Sequence, residues 1–201
     1  MNKRYIIMNT MATNFDTNSI DIQYAGFAKR LNAFAFDYLI IFAYIVVLFG
    51  VNFGIILSAG RLEEVSPLFA SPVVKDSIAF LTLILPVVLY FTLQESSPRQ
   101  ATWGKRKAGI RVVDAQGGAL TRKQAFVRSL VKLLPWQIAH TSIYHIEGFP
   151  FAPVEPALMV IVGFVLAYGL VGIYVASALI SKKHRTPYDW AAGSYVIEMS
   201  L

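Results

Sequence analysis

Long apolar blocks separated by short polar, charged stretches dominate the chain. Against the ~20 apolar residues that cross a hydrocarbon core about 30 Å thick, four blocks are candidate spans, at about 31–57, 77–93, 125–144 and 157–180. The block from Ala157 to Ile180 carries no charge. The third contains Arg128, Lys132, Gln137 and His140, and by hydropathy alone it fits an interfacial helix equally well.

The distribution of charge decides for a crossing. Loops rich in Lys and Arg stay on the cytoplasmic side. The segment from Gln94 to Lys132 holds Arg99, Lys105, Arg106, Lys107, Arg111, Arg122, Lys123, Arg128 and Lys132 against only Glu95 and Asp114. It is therefore expected inside. The stretch 58–76 has two basic and three acidic residues, and 145–156 has Glu147 and Glu155 with no Lys or Arg, so both read as outside. Were the third block not to cross, Lys182, Lys183 and Arg185 would follow the last span to the outer face. The expected fold is thus an all-α membrane protein, a four-transmembrane-helix bundle with both termini cytoplasmic in a bacterial plasma membrane.

Composition agrees, with 56% hydrophobic and 15% charged residues and a mean hydropathy of +0.54. The net charge of +6 would suggest nucleic acid in a soluble protein. Here it gathers in loops, and no nucleic-acid partner is expected. Residues 1–23 form a polar tail without a cleavable signal, expected to be poorly ordered, and the membrane domain runs from 24 to 198, leaving 199–201 as the end.

Local signals refine this outline. Pro86 should kink the second span and free a carbonyl one turn earlier. Gly163 with Ala167 and Gly172 with Ala176 are small pairs expected to pack against other helices of the same chain. Within the basic loop 94–124, KAGIRVVDAQGGALTRKQAFVRSL reads as a short strand, a turn at Asp114 to Gly118 and a helix capped by Thr121, a cytoplasmic β-turn or hairpin between spans two and three. Gly117 and Gly118 supply the positive φ of that turn. Trp103, Trp136 and Trp190 fall near expected span ends, as interfacial anchors do. The loop's cations suit the bilayer's anionic headgroups, at about 1 kcal/mol each.

Candidate chemistry is sparse. With no cysteine, disulfides and thiolate sites are excluded. His140, His145 and His184 lie in no HExxH motif, no serine lies in a G-x-S-x-G elbow, and no paired acids are placed for hydrolysis. No enzyme activity, metal or cofactor is expected. What stands out is Asp37 near the start of the first apolar block, since a carboxylate in hydrocarbon costs roughly 2.5–3.5 kcal/mol and marks a functional candidate. Arg30 lies seven residues earlier on the same helical face. Residues 38–57 suffice to span, so Asp37 belongs near the inner edge of the core, with Arg30 about 10 Å closer to the cytoplasm.

Three stretches, YAGFAKRLNAFAFDYLI, ATWGKRKAGIRVVDAQGGALT and HRTPYDWAAGSYVIE, follow in this order around the spans. Together they resemble the RDD family of bacterial membrane proteins, named for one arginine and two aspartates, from about Tyr24 to Glu198. The chain departs from the family's usual TLGKR, which is TWGKR here, and from its AGT ending, where Ser194 stands. The resemblance implies Arg30, Asp37 and Asp189 as the functional set, with Lys105, Arg106 and Arg128 as secondary candidates, and transport of an ion or small solute, cation/proton exchange included.

Two readings of the cluster stand. In one, Asp37 exchanges a cation or proton while Arg30 tunes it and Asp189 gates. In the other, Arg30 bridges both aspartates as a structural clasp in a membrane accessory protein. Four spans enclose little volume, so a solute path calls for a homo-oligomer, and an accessory role for a membrane partner protein.

Overall fold

The computed structural model describes residues 22–59, 71–149 and 153–199. The tail expected at 1–23 and the first outer loop lie largely outside the described residues. Helix α1 runs Phe27–Ala59. Helices α2 (Pro72–Ala79) and α3 (Leu85–Glu95) are joined through a π-helical stretch, Phe80–Ile84, into one rod. A short α4 (Trp103–Lys107) and β1 (Ile110–Val113) precede α5 (Arg122–Tyr144) and α6 (Leu158–Ile180). A short α7 (Pro187–Ala191) and β2 (Tyr195–Glu198) close the chain.

Three of these stretches, Phe27–Ile55, Pro72–Glu95 and Leu158–Ile180, are long and apolar enough to cross a membrane. Helix α5 has 23 residues, about 35 Å at 1.5 Å per residue, but its polar side chains keep it out of that group. It starts three residues before the expected boundary because Thr121 and Gln124 form a reciprocal capping box. Leu39, Phe42, Val47 and Phe49 on α1 and Leu158, Val165 and Ile173 on α6 are exposed. Such apolar surfaces suit contact with lipid.

Two prolines shape the bundle, and each is answered by a tyrosine. Pro86 has no N–H to give the carbonyl of Thr82, and the Tyr44 hydroxyl of α1 donates to that oxygen at 2.5 Å. Pro135, inside α5, likewise leaves the carbonyl of Val131 free, and the Tyr174 hydroxyl of α6 donates to it at 2.5 Å. Water cannot satisfy such a carbonyl in hydrocarbon, so a neighbouring helix must. Each tyrosine thereby fixes the depth at which its helix meets the next.

The short elements form a polar layer at one end of the bundle. Strand β1 is not half of a local hairpin, as the Gly-rich turn suggested. It pairs antiparallel with β2, Ile110 opposite Glu198 and Val113 opposite Tyr195. The segment ahead of α1 joins the other edge, with the Ala25 N–H donating to the Val196 carbonyl and the Glu198 N–H to that of Gln23. The turn itself forms: Asp114 accepts from the Gln116 and Gly118 N–H groups, and Gly117 alone of the two glycines has positive φ, +82°. Ala25, Ala33, Ile110, Val112, Leu120, Ala125 and Val196 pack as the core beneath this layer.

Two packing expectations need correction. Gly163 does face α5, against Ser142, and Ala167 is buried, but Gly172 and Ala176 lie open on the surface because α6 buries only one narrow stripe. Trp136 stands mid-way along α5 rather than at a span end, since the helix extends eight residues beyond it.

Replacing Tyr174 with Phe should leave the Val131 carbonyl unpaired and cost about 1–3 kcal/mol. Thermal unfolding of the purified protein in detergent should register the loss, whereas a similar substitution at Tyr168, which is exposed, should not.

Candidate functional site

The residues singled out in the sequence gather at the polar end of the bundle, in two adjoining groups rather than one. The first is built on Asp37. Its carboxylate accepts from the Thr102 hydroxyl at 2.6 Å, the Gly104 N–H at 2.8 Å and the Tyr90 hydroxyl at 2.9 Å. Thr102 is the N-cap of α4, accepting from the Lys105 N–H while donating to Asp37. Gly104 lets α4 lie directly on α1: a Cβ there would sit 2.1 Å from the Ala33 carbonyl oxygen and 2.8 Å from the Asp37 amide nitrogen. The TWGKR stretch is thus a lid over Asp37, which the fold buries completely.

The second group is an ion-pair chain. Arg30 donates through Nη1 to Asp189 at 2.7 Å and through Nε to the Ala25 carbonyl at 3.0 Å. Arg128 donates to the other Asp189 oxygen at 2.7 Å and, through Nη1, to Glu95 at 2.5 Å. Lys105 completes the chain on Glu95 at 2.7 Å. Arg128 Nε also reaches the Ser194 hydroxyl at 3.2 Å, the position where the sequence departs from the expected threonine and keeps the hydroxyl. Thr186, at the start of α7, gives Asp189 both its N–H and its hydroxyl. Burial alone would raise the Asp189 carboxyl, but the Arg128 and Arg30 guanidiniums outweigh it and hold the group well below the usual carboxylate range.

Arg30 therefore pairs with Asp189 and not with Asp37. Seven residues of helix separate the two by about 10 Å along the axis, too far for one contact, and each meets what lies at its own level. Of the secondary candidates, Lys105 and Arg128 are buried in the chain, while Arg106 is only half-buried. Glu95, Tyr90, Thr102 and Lys132 were not among the site candidates the sequence offered. Glu95 ends a helix next to a basic loop, where a carboxylate reads as solvent-facing.

Both groups border a cavity of about 280 Å³ between α1, α5 and α6. Its lining includes the basic Arg30, Lys105, Arg128 and Lys132, one carboxylate, Asp37, and the phenols of Tyr174 and Tyr188. Lys132 makes no ion pair among the described residues, and its Nζ sits 3.4 Å from the centre of the Phe91 ring. Cation–π contact of this kind is worth about 2 kcal/mol or more when dry, less than a full ion pair in such a setting.

The family model described as RDD family matches residues 24–193. No curated protein and no solved structure matches the chain.

Two outcomes follow from the geometry. Gly104→Ala forces backbone against backbone and should cost at least about 1–3 kcal/mol in unfolding, more than Thr102→Val, which removes one hydroxyl donor. Because the folded Asp189 carboxyl is depressed, its contribution is complete above the unfolded value of ~3.9 and is lost as pH falls below it. Detergent-solubilised protein titrated from pH 6 to pH 3 should lose stability more steeply than Asp189→Asn, whose stability starts lower by about 3–5 kcal/mol.

Proposed function

The chain belongs to the RDD family, and on that premise we propose that it is a four-span plasma-membrane protein that binds a small anionic solute in the cavity between α1, α5 and α6 and passes it across the membrane. The observation that carries this reading is the sign of the cavity's charge. Four basic side chains line it against one carboxylate that already holds three donors; Arg30, Arg128 and Lys105 are paired with Asp189 and Glu95, which leaves the Lys132 amine and one Arg30 nitrogen to meet a solute. Cation exchange at Asp37 would require an incoming cation to displace those donors while facing Arg30, Lys105, Arg128 and Lys132.

Helix α5 serves as the fourth span in this reading. With it, Lys182, Lys183 and Arg185 fall on the same side as the basic segment 94–124, the cytoplasmic side by the positive-inside rule. Arg128 then lies in the inner part of the helix, where the polar layer covers it, and Lys132 one turn deeper. The chain Arg30, Asp189, Arg128, Glu95 and Lys105 acts as a clasp that holds the cavity floor in shape, and Lys132 is the lining amine outside the clasp that meets the solute. A clasp without transport, in an accessory protein, is the second reading. The saturated hydrogen bonding of Asp189 favours it.

Purified protein in proteoliposomes tests the choice. Uptake of labelled inorganic phosphate or sulfate is expected, falling about tenfold in Lys132→Gln, the loss of one charge-assisted contact worth about 1.4 kcal/mol. Sodium-driven proton movement abolished by Asp37→Asn would contradict the anion reading. Absence of any flux, with Lys132→Gln unchanged from the parent, would leave the clasp alone.

A further inference from the structure

We infer that the cavity's ligand is the phosphate-bearing headgroup of an anionic bilayer lipid, entering sideways between α1 and α6; this rests on the anion reading of the same cavity. The walls come first. Phe27, Leu31 and Phe34 on α1 and Val171, Val175 and Ala178 on α6 line the cavity at positions i, i+4, i+7, one apolar stripe on each helix. Yet α1 packs chiefly on α4, and α6 on α5, so the two stripes scarcely touch one another. They frame a slot open toward the exposed apolar surfaces of both helices.

Depth and size agree with a headgroup. Arg30 lies three residues from the start of α1, and Ala178 two residues from the end of α6, about 5 Å or less along either axis. Helix ends are where headgroups sit. A volume of about 280 Å³ falls just below that of ordinary small-molecule pockets. It holds a phosphate and its glycerol but not two acyl chains, which must leave through the slot into the bilayer.

Charge selects the lipid. The Arg30 side chain is nine-tenths buried, and its Nη2, unlike Nε and Nη1, has no hydrogen-bond partner among the described residues. Lys132 lines the same cavity with no ion pair among the described residues, its Nζ lying over the Phe91 ring. An unpartnered guanidinium N–H and an amine on the lining of one cavity are donors suited to phosphate oxygens. A choline headgroup carries a cation of its own, which a glycerol headgroup does not bring beside the Arg30 guanidinium.

The full-length protein in a neutral maltoside detergent provides the test, with dioctanoyl phosphatidylglycerol, dioctanoyl phosphatidylcholine and inorganic phosphate as probes in calorimetry. Phosphatidylglycerol is expected to bind at least about tenfold more tightly than phosphatidylcholine, and Lys132→Gln to erase that preference. Val175→Trp, which fills the slot without changing charge, should weaken the lipid about tenfold while leaving inorganic phosphate unchanged. Equal binding of both lipids overturns the inference. So does inorganic phosphate binding as tightly as phosphatidylglycerol with Val175→Trp without effect, although the anion reading survives that result. Failure of every probe overturns both.

Discussion

Arg128 leaves water almost entirely, and its guanidinium is held between Glu95 at the end of α3 and Asp189 in α7. Burying one charge costs several kcal/mol even after relaxation, so such a residue is stable only where partners complete its hydrogen bonds. Here two carboxylates from elements far apart in the chain do so, with Asp189 and Ser194 sharing Nε and the Tyr188 ring lying 5.1 Å from the guanidinium carbon. Arg30 and Lys105 then neutralise what each carboxylate still exposes. The chain of five charges ties α1, α3, α4, α5 and α7 to one another. The polar layer of β1, β2 and α4 rests on that tie.

Apolar packing alone could not place these elements. Helices α1 and α6 are apolar nearly all round, and a helix of that kind finds no preferred face against lipid. Register in the bundle comes from polar contacts instead: the tyrosine hydroxyls on proline-freed carbonyls, the lid of α4 on Asp37, and the ion-pair chain. The cavity is a consequence. Holding α1 by its polar end to α4 leaves its stripe of Phe27, Leu31 and Phe34 unpacked against α6.

The blocks, the Asp114 turn, the Thr121 cap and the pair Arg30 and Asp37 were legible because each depends on neighbours within a few residues or on an uncommon charge in an apolar setting, whereas Asp189, in a polar stretch, came only with the family resemblance. Partnership was not. Arg30 and Asp37 share a helical face, which suggests a pair, but the axial rise between them exceeds any side-chain contact and the actual partners come from distant segments. Strand β1 offered four residues and a turn, and nothing local distinguishes a hairpin from pairing with residues 195–198. Glu95 and Lys132 looked like ordinary loop-side charges. Tyr174 answering Pro135 could have been suspected once that proline was noticed inside a helix, but not which tyrosine.

The dependence of the polar layer on Arg128 is best tested by hydrogen exchange in nanodiscs, comparing the parent with Arg128→Met, which keeps the apolar stem and removes the charge. Amides of Ala25, Val112 and Glu198, all bonded within the layer, should lose protection together while those in the middle of α6 keep theirs. Unchanged protection of these three amides in the Met variant would contradict the account.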